Sequence, residues 1–325
     1  MQTITLESPL LRCSIAPTLG AGIADFSLKG PSGFFFPIMR RAAPEESNAS
    51  LLGSFFMVPW VNRIRAGRFA FAGREHVIRT NTADGMAQHG DVRKRAWTVV
   101  AQSASAATLE FDSRQFADVN WPWMFTSRAV YTLVPTDSGG VLLIDLSIRN
   151  EDTTPFPTGV GHHPYFSRRL WNDADDLHLS MPVAGRYPLK DGCAIAPAAA
   201  DDLTRHLRTL APIPNQHIDA VFAADPAALG SPSANTAVLH WPSSGVRLSM
   251  RASANLGHWI LYVPHERPED ARHPSPLAFV AVEPQSQVND AFNLEAKSGV
   301  QGTGTMVLEP GEEMLTRCAF EVEKS

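Results

Sequence analysis

Apolar and polar residues alternate with a period of two from the beginning of this chain to its end, and this pattern limits the fold more than any other feature. In residues 141–150, Leu142, Ile144, Leu146 and Ile148 alternate with Asp145, Ser147 and Arg149. A half-buried strand has this period, because successive side chains point to opposite faces of a sheet. The same alternation recurs in residues 107–112, 246–250 and 320–323. The sequence therefore predicts antiparallel strands throughout.

Other segments refine this prediction. Residues 69–78 place Phe69 and Phe71 before Gly73 and apolar residues after it, which predicts a hairpin. Residues 259–263 and 279–282 are apolar on both faces, as in strands covered on both sides. Residues 201–210 predict one short helix, and no window of a dozen residues carries a helical stripe.

No linker or internal repeat divides the chain. Stretches rich in Pro and Ala, residues 194–200, 223–235 and 264–276, are predicted to be surface loops within one unit. The strands recur from end to end, so we predict a single domain, residues 1–325, folded as an all-β, large antiparallel sandwich.

Composition excludes several classes of partner. The net charge is −5 with no basic block, which disfavours nucleic acid. No apolar run approaches the roughly 20 residues that cross a bilayer, so no membrane partner is expected, and the N-terminus does not resemble a signal peptide. The three cysteines, Cys13, Cys193 and Cys318, show no metal-binding spacing and predict reduced thiols in a cytoplasmic protein.

Five polar clusters occur where strands or their ends are predicted: residues 59–64, 88–90, 159–166, 217–222 and 282–285. In the last of these, Glu283 directly follows the doubly apolar segment 279–282. A carboxylate in that place is poorly solvated, so it needs partners or has a raised pKa, and a raised pKa suits a general base. From the residues alone, structural and functional explanations of Glu283 remain equally open.

Known catalytic motifs narrow the choice. The chain has no Gly-x-Ser-x-Gly nucleophile turn, no phosphate-binding Gly-x-x-x-x-Gly-Lys loop and no dinucleotide fingerprint after a strand. His89, His162 and His163 are conceivable zinc ligands, but adjacent histidines on a strand point to opposite faces and cannot share one ion. What remains is acid–base chemistry on a hydroxyl-rich substrate.

Taken together, the motifs resemble the aldose 1-epimerase (galactose mutarotase-like) family. The resemblance runs through nearly the whole chain in the family's order, from Asn62-Arg63-Ile64 with its hairpin, through His89-Gly90, His163-Pro164-Tyr165-Phe166 and Asp219, to Glu283-Pro284. It implies a large antiparallel β-sandwich whose concave face forms a sugar cleft. It also implies a cofactor-free, metal-free isomerase that acts on a monosaccharide as a monomer or homodimer.

The resemblance implies a role for each matched residue. Glu283 would be the general base at the anomeric hydroxyl, and His163 the general acid at the ring oxygen. Arg63, His89, Asp219 and Asn62 would bind the sugar. His163 is preferred to His162 because the family's histidine stands two residues before a Tyr-Phe pair, here Tyr165-Phe166. His162 is expected on the other side of the strand in a structural role.

One departure from the well-known galactose mutarotases concerns a Gln in an aromatic-Thr-Gly segment, which the corresponding residues 258–264 lack. We expect Trp259 to replace that contact by stacking on a sugar face.

Three alternatives stay open. A hexose 6-phosphate epimerase of the same family would need basic groups at the cleft rim, with Arg65, Arg68, Arg93 or Lys94 as candidates. A non-catalytic sugar-binding module could use the same sandwich. A glycoside hydrolase could pair Asp219 with Glu283.

Overall fold

Strands make up most of the regular structure, as the alternation predicts. The computed structural model describes residues 1–231, 233–264, 278–298 and 300–324. In chain order the strands there are β1 (Ile4–Glu7), β2 (Leu11–Ala16), β3 (Gly22–Lys29), β4 (Phe35–Pro37), β5 (Phe56–Met57), β6 (Arg63–Ile64), β7 (Arg68–Phe71), β8 (Arg74–Val77), β9 (Ala87–Gln88), β10 (Thr98–Gln102), β11 (Ala106–Asp112), β12 (Phe125–Thr136), β13 (Gly139–Asn150), β14 (Phe156–Thr158), β15 (Gly161–His162), β16 (Tyr165–Ser167), β17 (His178–Ser180), β18 (Val183–Arg186), β19 (Leu189–Lys190), β20 (Cys193–Ala194), β21 (Ala211–Pro212), β22 (Ile218–Ala224), β23 (Thr236–Trp241), β24 (Val246–Ala252), β25 (His258–Val263), β26 (Phe279–Gln285), β27 (Met306–Leu308) and β28 (Glu313–Lys324).

Helices are few and short. The α-helices of the described residues are α1 (Asp202–Leu207), α2 (Pro226–Leu229) and α3 (Ala291–Ser298), and single turns of 3₁₀ helix lie at Ala49–Leu51, Arg65–Gly67, Val92–Lys94, Ser113–Gln115 and Pro242–Ser244. The predicted helix is α1, whose first turn is capped by the Asp201 carboxylate accepting from the Thr204 N–H at 2.8 Å. None of these helices is long and apolar enough to span a bilayer.

The larger sheet has nine strands in the order β10-β11-β12-β13-β28-β24-β23-β17-β21. Its pairs are antiparallel, and the register aligns Leu142 with Phe320 and Phe320 with Met250. These three side chains are fully buried. On the opposite face Asp145 pairs with Arg317, whose Nε lies 2.6 Å from Oδ1. The two-residue period therefore separates a core face from a charged outer face.

A second, seven-stranded sheet has the order β18-β22-β25-β26-β15-β5, with β16 also paired to β26. Every residue of β26 is buried, and β25 is nearly so, as predicted for strands covered on both faces. One face of this sheet packs on the nine-stranded sheet, where the rings of Phe166 and Phe320 lie 6.4 Å apart. Residues of both sheets belong to one hydrophobic core cluster. The fold is thus the predicted all-β antiparallel sandwich.

Smaller elements surround the sandwich. β1 to β4 form a four-stranded sheet, β6 pairs with β9, and β7 and β8 form the predicted hairpin. Helix α3, which was not predicted, packs on this hairpin through Phe292, whose ring centroid is 4.9 Å from that of Phe69. All three cysteines are buried free thiols.

The loop predictions were only partly right. Residues 223–235 include the end of β22 and all of α2, because their alanines and Asp225 form a capped helical turn. Residue 194 belongs to β20, and the rest of 194–200 is outside the named strands and helices. The third loop, 264–276, lies outside the described residues beyond Pro264.

Candidate active site

A cleft of about 370 Å³ opens on the face of the seven-stranded sheet that points away from the nine-stranded sheet. Its lining residues come from that sheet and from the segments around β5, β6, β9 and the 3₁₀ turns. They are Asn48, Ser50, Leu51, Phe55, Asn62, Arg63, Gln88, His89, Arg93, His163, Tyr165, His217, Asp219, Ile260, Tyr262 and Glu283.

Strand register explains which residues of the sheet reach the cleft. Glu283 of β26 is paired with Ile260 of β25, and Tyr262 of β25 is paired with Asp219 of β22. Paired residues, and residues two apart on one strand, share a face. The cleft floor is therefore built from alternate residues of three adjacent strands.

Trp259 is next in sequence to Ile260, which lines the cleft, so its side chain is on the other face of the sheet. Its predicted role in the cleft is wrong. Its side chain is fully buried in the core between the sheets. The indole Nε1–H donates to Asn235 Oδ1 at 3.0 Å. Because adjacent strand residues point to opposite faces, the cleft residue here is Ile260 and the core residue is Trp259.

His163 joins the floor from the neighbouring segment. It lies between β15 and β16, both of which pair with β26, and its backbone N–H donates to the Phe55 carbonyl at 3.0 Å. The Phe55 ring stacks on the imidazole at 4.4 Å, and Tyr165 lies at 4.7 Å on centroid distances. These contacts place His163 Nε2 at 3.1 Å from Glu283 Oε1. The two groups lie side by side because the strands that flank His163 both pair with β26.

Burial shifts the proton affinities of this pair in opposite directions. Glu283 and His163 are 2% and 5% exposed. Desolvation, with the nearby charge of Asp219, raises the pKa of Glu283 well above its usual value. Desolvation, with the positive charges of Arg40 and Arg93, lowers the pKa of His163 well below its usual value. Both shifts favour the uncharged forms, a protonated Glu283 beside a neutral His163 imidazole.

The pair is also incompletely hydrogen-bonded. Glu283 Oε2 and His163 Nδ1 are buried and have no hydrogen-bond partner within the described part of the chain. Unsatisfied buried polar atoms cost stability, and in native structures they mark strained or functional positions. A hydroxyl-bearing ligand could supply the missing bonds.

Three other predicted residues meet the cleft on the β6–β9 side. His89 has a φ of 62° and Asn62 a φ of 45°, both in the region that L-residues rarely adopt. Gly90 follows at φ 66°, where a Cβ would lie 2.2 Å from the Val58 carbonyl oxygen, so the turn requires glycine. The His89 N–H donates to the Asn62 carbonyl at 2.7 Å, and Arg63 pairs with Asp84 at 2.9 Å. The ring centroids of His89 and His163 are 5.0 Å apart.

His162 points into the core, as predicted. Its ring meets Phe56 edge-on at 5.4 Å, and burial lowers its pKa to about 3. It therefore stays neutral and structural. Within residues 1–231, 233–264, 278–298 and 300–324, no three His, Cys, Asp or Glu side chains come together in a way that could hold a metal ion.

Several lining residues were not predicted as site residues. Phe55 and Tyr262 provide aromatic walls, and Asn48 and Ser50 form one end of the cleft beside Arg93. Of these residues, only Arg93 is a candidate from the sequence, as a basic group at the cleft rim. Asn48 and Ser50 lie in an irregular segment, where no periodicity indicates which way a side chain points.

Comparison with known proteins gives consistent matches. The family profile for aldose 1-epimerase matches residues 2–321. The uncharacterised proteins YihR and YphB of Escherichia coli (strain K12) are 27% identical over 191 residues and 24% identical over 278 residues. These alignments cover 58% and 83%, respectively, of this chain and the same shares of the two relatives, so the chain matches little more than half the length of YihR. The crystal structure of a galactose mutarotase-like protein from Clostridium acetobutylicum superposes with a TM-score of 0.81 at 16% identity, over 99% of this chain and 95% of that one.

Proposed function

Because this chain belongs to the aldose 1-epimerase family, we propose that it interconverts the α and β anomers of a monosaccharide, with Glu283 and His163 as its acid–base pair. The 3.1 Å contact between His163 Nε2 and Glu283 Oε1 on the cleft floor is the observation that supports this most directly. In a cyclic sugar the anomeric oxygen and the ring oxygen are bonded to the same carbon, C1. A base and an acid that lie close together can therefore serve these two oxygens at once.

The reaction needs only proton movements. The Glu283 carboxylate removes the proton from the anomeric hydroxyl, the C1–ring oxygen bond breaks, and His163 donates a proton to the departing ring oxygen. The product is the open-chain aldehyde. Rotation about the C1–C2 bond presents the other face of the carbonyl, and the two proton transfers then run in reverse. The pair holds the same number of protons before and after.

The pKa shifts suit these roles. A carboxylate whose pKa is raised is a stronger base, and an imidazolium whose pKa is lowered is a stronger acid. The resting pair carries its proton on Glu283, and moving that proton across the contact to His163 produces the reactive ion pair. The net charge stays zero, so the cleft gains no uncompensated charge. The two groups titrate as one unit.

Other cleft residues hold the sugar in this scheme. Arg63, His89 and Asn62 hydrogen-bond near the ring oxygen, and Asp219 accepts from ring hydroxyls. The buried Asn62 Oδ1 has no partner within the described residues, so it is free to accept from a sugar hydroxyl. These roles are part of the proposal.

The decisive experiment measures anomer exchange at equilibrium by magnetisation-exchange NMR. The sugars are glucose, galactose, glucose 6-phosphate and glucuronate, each with wild-type protein, E283Q and H163N. Removing either group should lower kcat/KM by at least about 100-fold, since positioned acids and bases each contribute about 10²–10⁴-fold. E110Q, at an exposed site on β11, is the matched control and should keep the wild-type rate.

Two results would count against this function. In the first, a sugar of the panel binds in a titration, but wild-type protein exchanges the anomers of no sugar faster than E283Q does. The chain would then be a sugar-binding module. Alternatively, exchange persists at the wild-type rate in both E283Q and H163N, and the catalytic groups lie elsewhere.

A further inference from the structure

Arg93 is a cleft arginine whose charge is balanced by no carboxylate among the described residues. Its side chain belongs to a residue that is only 6% exposed. Within the described residues its guanidinium donates to the Ser50 hydroxyl and forms no ion pair, and its Nε has no partner. By contrast, Arg63 in the same cleft pairs with Asp84, and Arg95, two residues along the chain, pairs with Asp91 and Asp118.

A buried guanidinium without an anion is energetically unfavourable, because arginine cannot lose its proton under ordinary conditions. The Phe55 ring, whose centroid lies 5.2 Å from Arg93 Cζ, offsets part of this cost by a cation–π contact. The Ser50 hydroxyl accepts from Arg93, which leaves its own proton available for a further acceptor. Arg40 adds a second positive charge nearby, since its Nη2 donates to the Ser50 carbonyl at 2.6 Å. This end of the cleft therefore favours an anion.

The proposed mechanism fixes which part of a sugar would reach this end. The ring oxygen lies at His163 and the anomeric oxygen at Glu283. In a pyranose the ring oxygen is also bonded to C5, which carries the exocyclic carbon C6. C6 thus lies on the side of His163 away from Glu283. Arg93 is on that side: its Cζ lies 5.2 Å from the Phe55 ring, which stacks on His163 at 4.4 Å. Its charge acts on His163, whereas the charge that acts on Glu283 is that of Asp219.

We infer that the substrate is a sugar with a phosphate or carboxylate group on C6, and that Arg93 binds this anion with help from Ser50. The inference rests on the proposed function, because it uses the orientation of the ring in that mechanism. It assigns Arg93 to specificity: Arg93 transfers no proton itself, and its effect on the pKa of His163 applies to anionic and neutral sugars alike.

The test compares anionic and neutral sugars of the same ring. Wild-type kcat/KM for glucose 6-phosphate or glucuronate should exceed that for glucose at least tenfold, and the stronger of the two identifies the anion. R93Q should lower the ratio of anionic to neutral kcat/KM by about 10- to 100-fold, as expected for a lost charge-assisted hydrogen bond. R93K should lower it less, since it keeps the charge and loses the planar fork. K94Q removes one positive charge at the adjacent exposed position and should leave the ratio unchanged.

The wild-type panel alone decides the matter if R93Q does not fold. Added salt should weaken turnover of the anionic sugar and leave that of glucose unchanged, because ions screen only the former attraction. Two results overturn the inference and leave the proposed epimerase function intact. In one, wild-type protein turns over glucose as well as both anionic sugars. In the other, R93Q does not change the ratio of anionic to neutral kcat/KM. Absence of exchange with every sugar is a failure of the proposed function instead.

Discussion

At the scale of single residues, the site depends on burying two titratable groups against each other. Glu283 lies at the end of a wholly buried strand, and one of its oxygens contacts His163. Burial raises the pKa of Glu283 and lowers that of His163. The proposed mechanism requires that this pair carry one proton. Activity should fall at low pH when the pair gains a proton, and at high pH when it loses one.

The alkaline limb of the pH dependence of kcat/KM tests the role of Asp219. Its negative charge opposes ionisation of Glu283 and so raises the pKa of that carboxyl. D219N removes the charge, which should lower the pKa of Glu283 and move the alkaline limb of kcat/KM to lower pH. Loss of a sugar contact would reduce the height of the profile without moving the limb. An unmoved limb would show that Asp219 does not act on Glu283.

At the scale of elements, strand register decides which side chains face the sugar and which face the core. W259F should lower the free energy of unfolding by about 1–3 kcal/mol, because it leaves the buried Asn235 Oδ1 without its donor. It should leave KM for the sugar unchanged, since Trp259 faces away from the cleft. Urea denaturation and NMR exchange measure the two effects. A raised KM with unchanged stability would restore the stacking role that the structure contradicts.

The sequence located several of the strands and was insufficient for the details that tertiary contacts decide. Alternation predicted β13 and β28, and two-faced burial predicted β25 and β26. The sequence did not show which residues of β25 face the cleft. Because this strand is apolar on both faces, its pattern does not distinguish Trp259 from Ile260. Helix α3 was missed because it is only two turns long and depends on packing against the β7–β8 hairpin.

In the candidate site, too, the sequence identified residues but not the contacts between them. The site residues carried over from the family's motifs all line the cleft: Asn62, Arg63, His89, His163, Asp219 and Glu283. Trp259, which rested on no motif, does not line it. The direct contact between Glu283 and His163 could not be foreseen, because it follows from which strands are neighbours. Ser50 was missed for a related reason: only the folded chain brings its segment beside Arg93.

At the scale of the whole molecule, one core cluster joins both sheets and the four-stranded β1–β4 sheet. Cys13 on β2 and Cys318 on β28 are both fully buried in it, and burial raises the pKa of both thiols. If the chain unfolds as one unit, both thiols should react with a thiol reagent at the same rate, set by global unfolding. The C193S/C318S and C13S/C193S variants isolate each in turn, and labelling in increasing urea compares them. A tenfold difference in rate would contradict one cooperative domain.

The position of β28 has a consequence for how the chain is made. This strand lies between β13 and β24 in the middle of the nine-stranded sheet, and its Arg317 pairs with Asp145, 172 residues earlier. As the chain leaves the ribosome, β10 to β13 can form a meander long before β28 exists. Until then β13 and β24 each present an unpaired edge, the feature that makes nascent chains stick to one another. Synthesis of β28 closes both edges at once, so a translation product that stops before residue 313 should be a chaperone client and not a smaller folded protein.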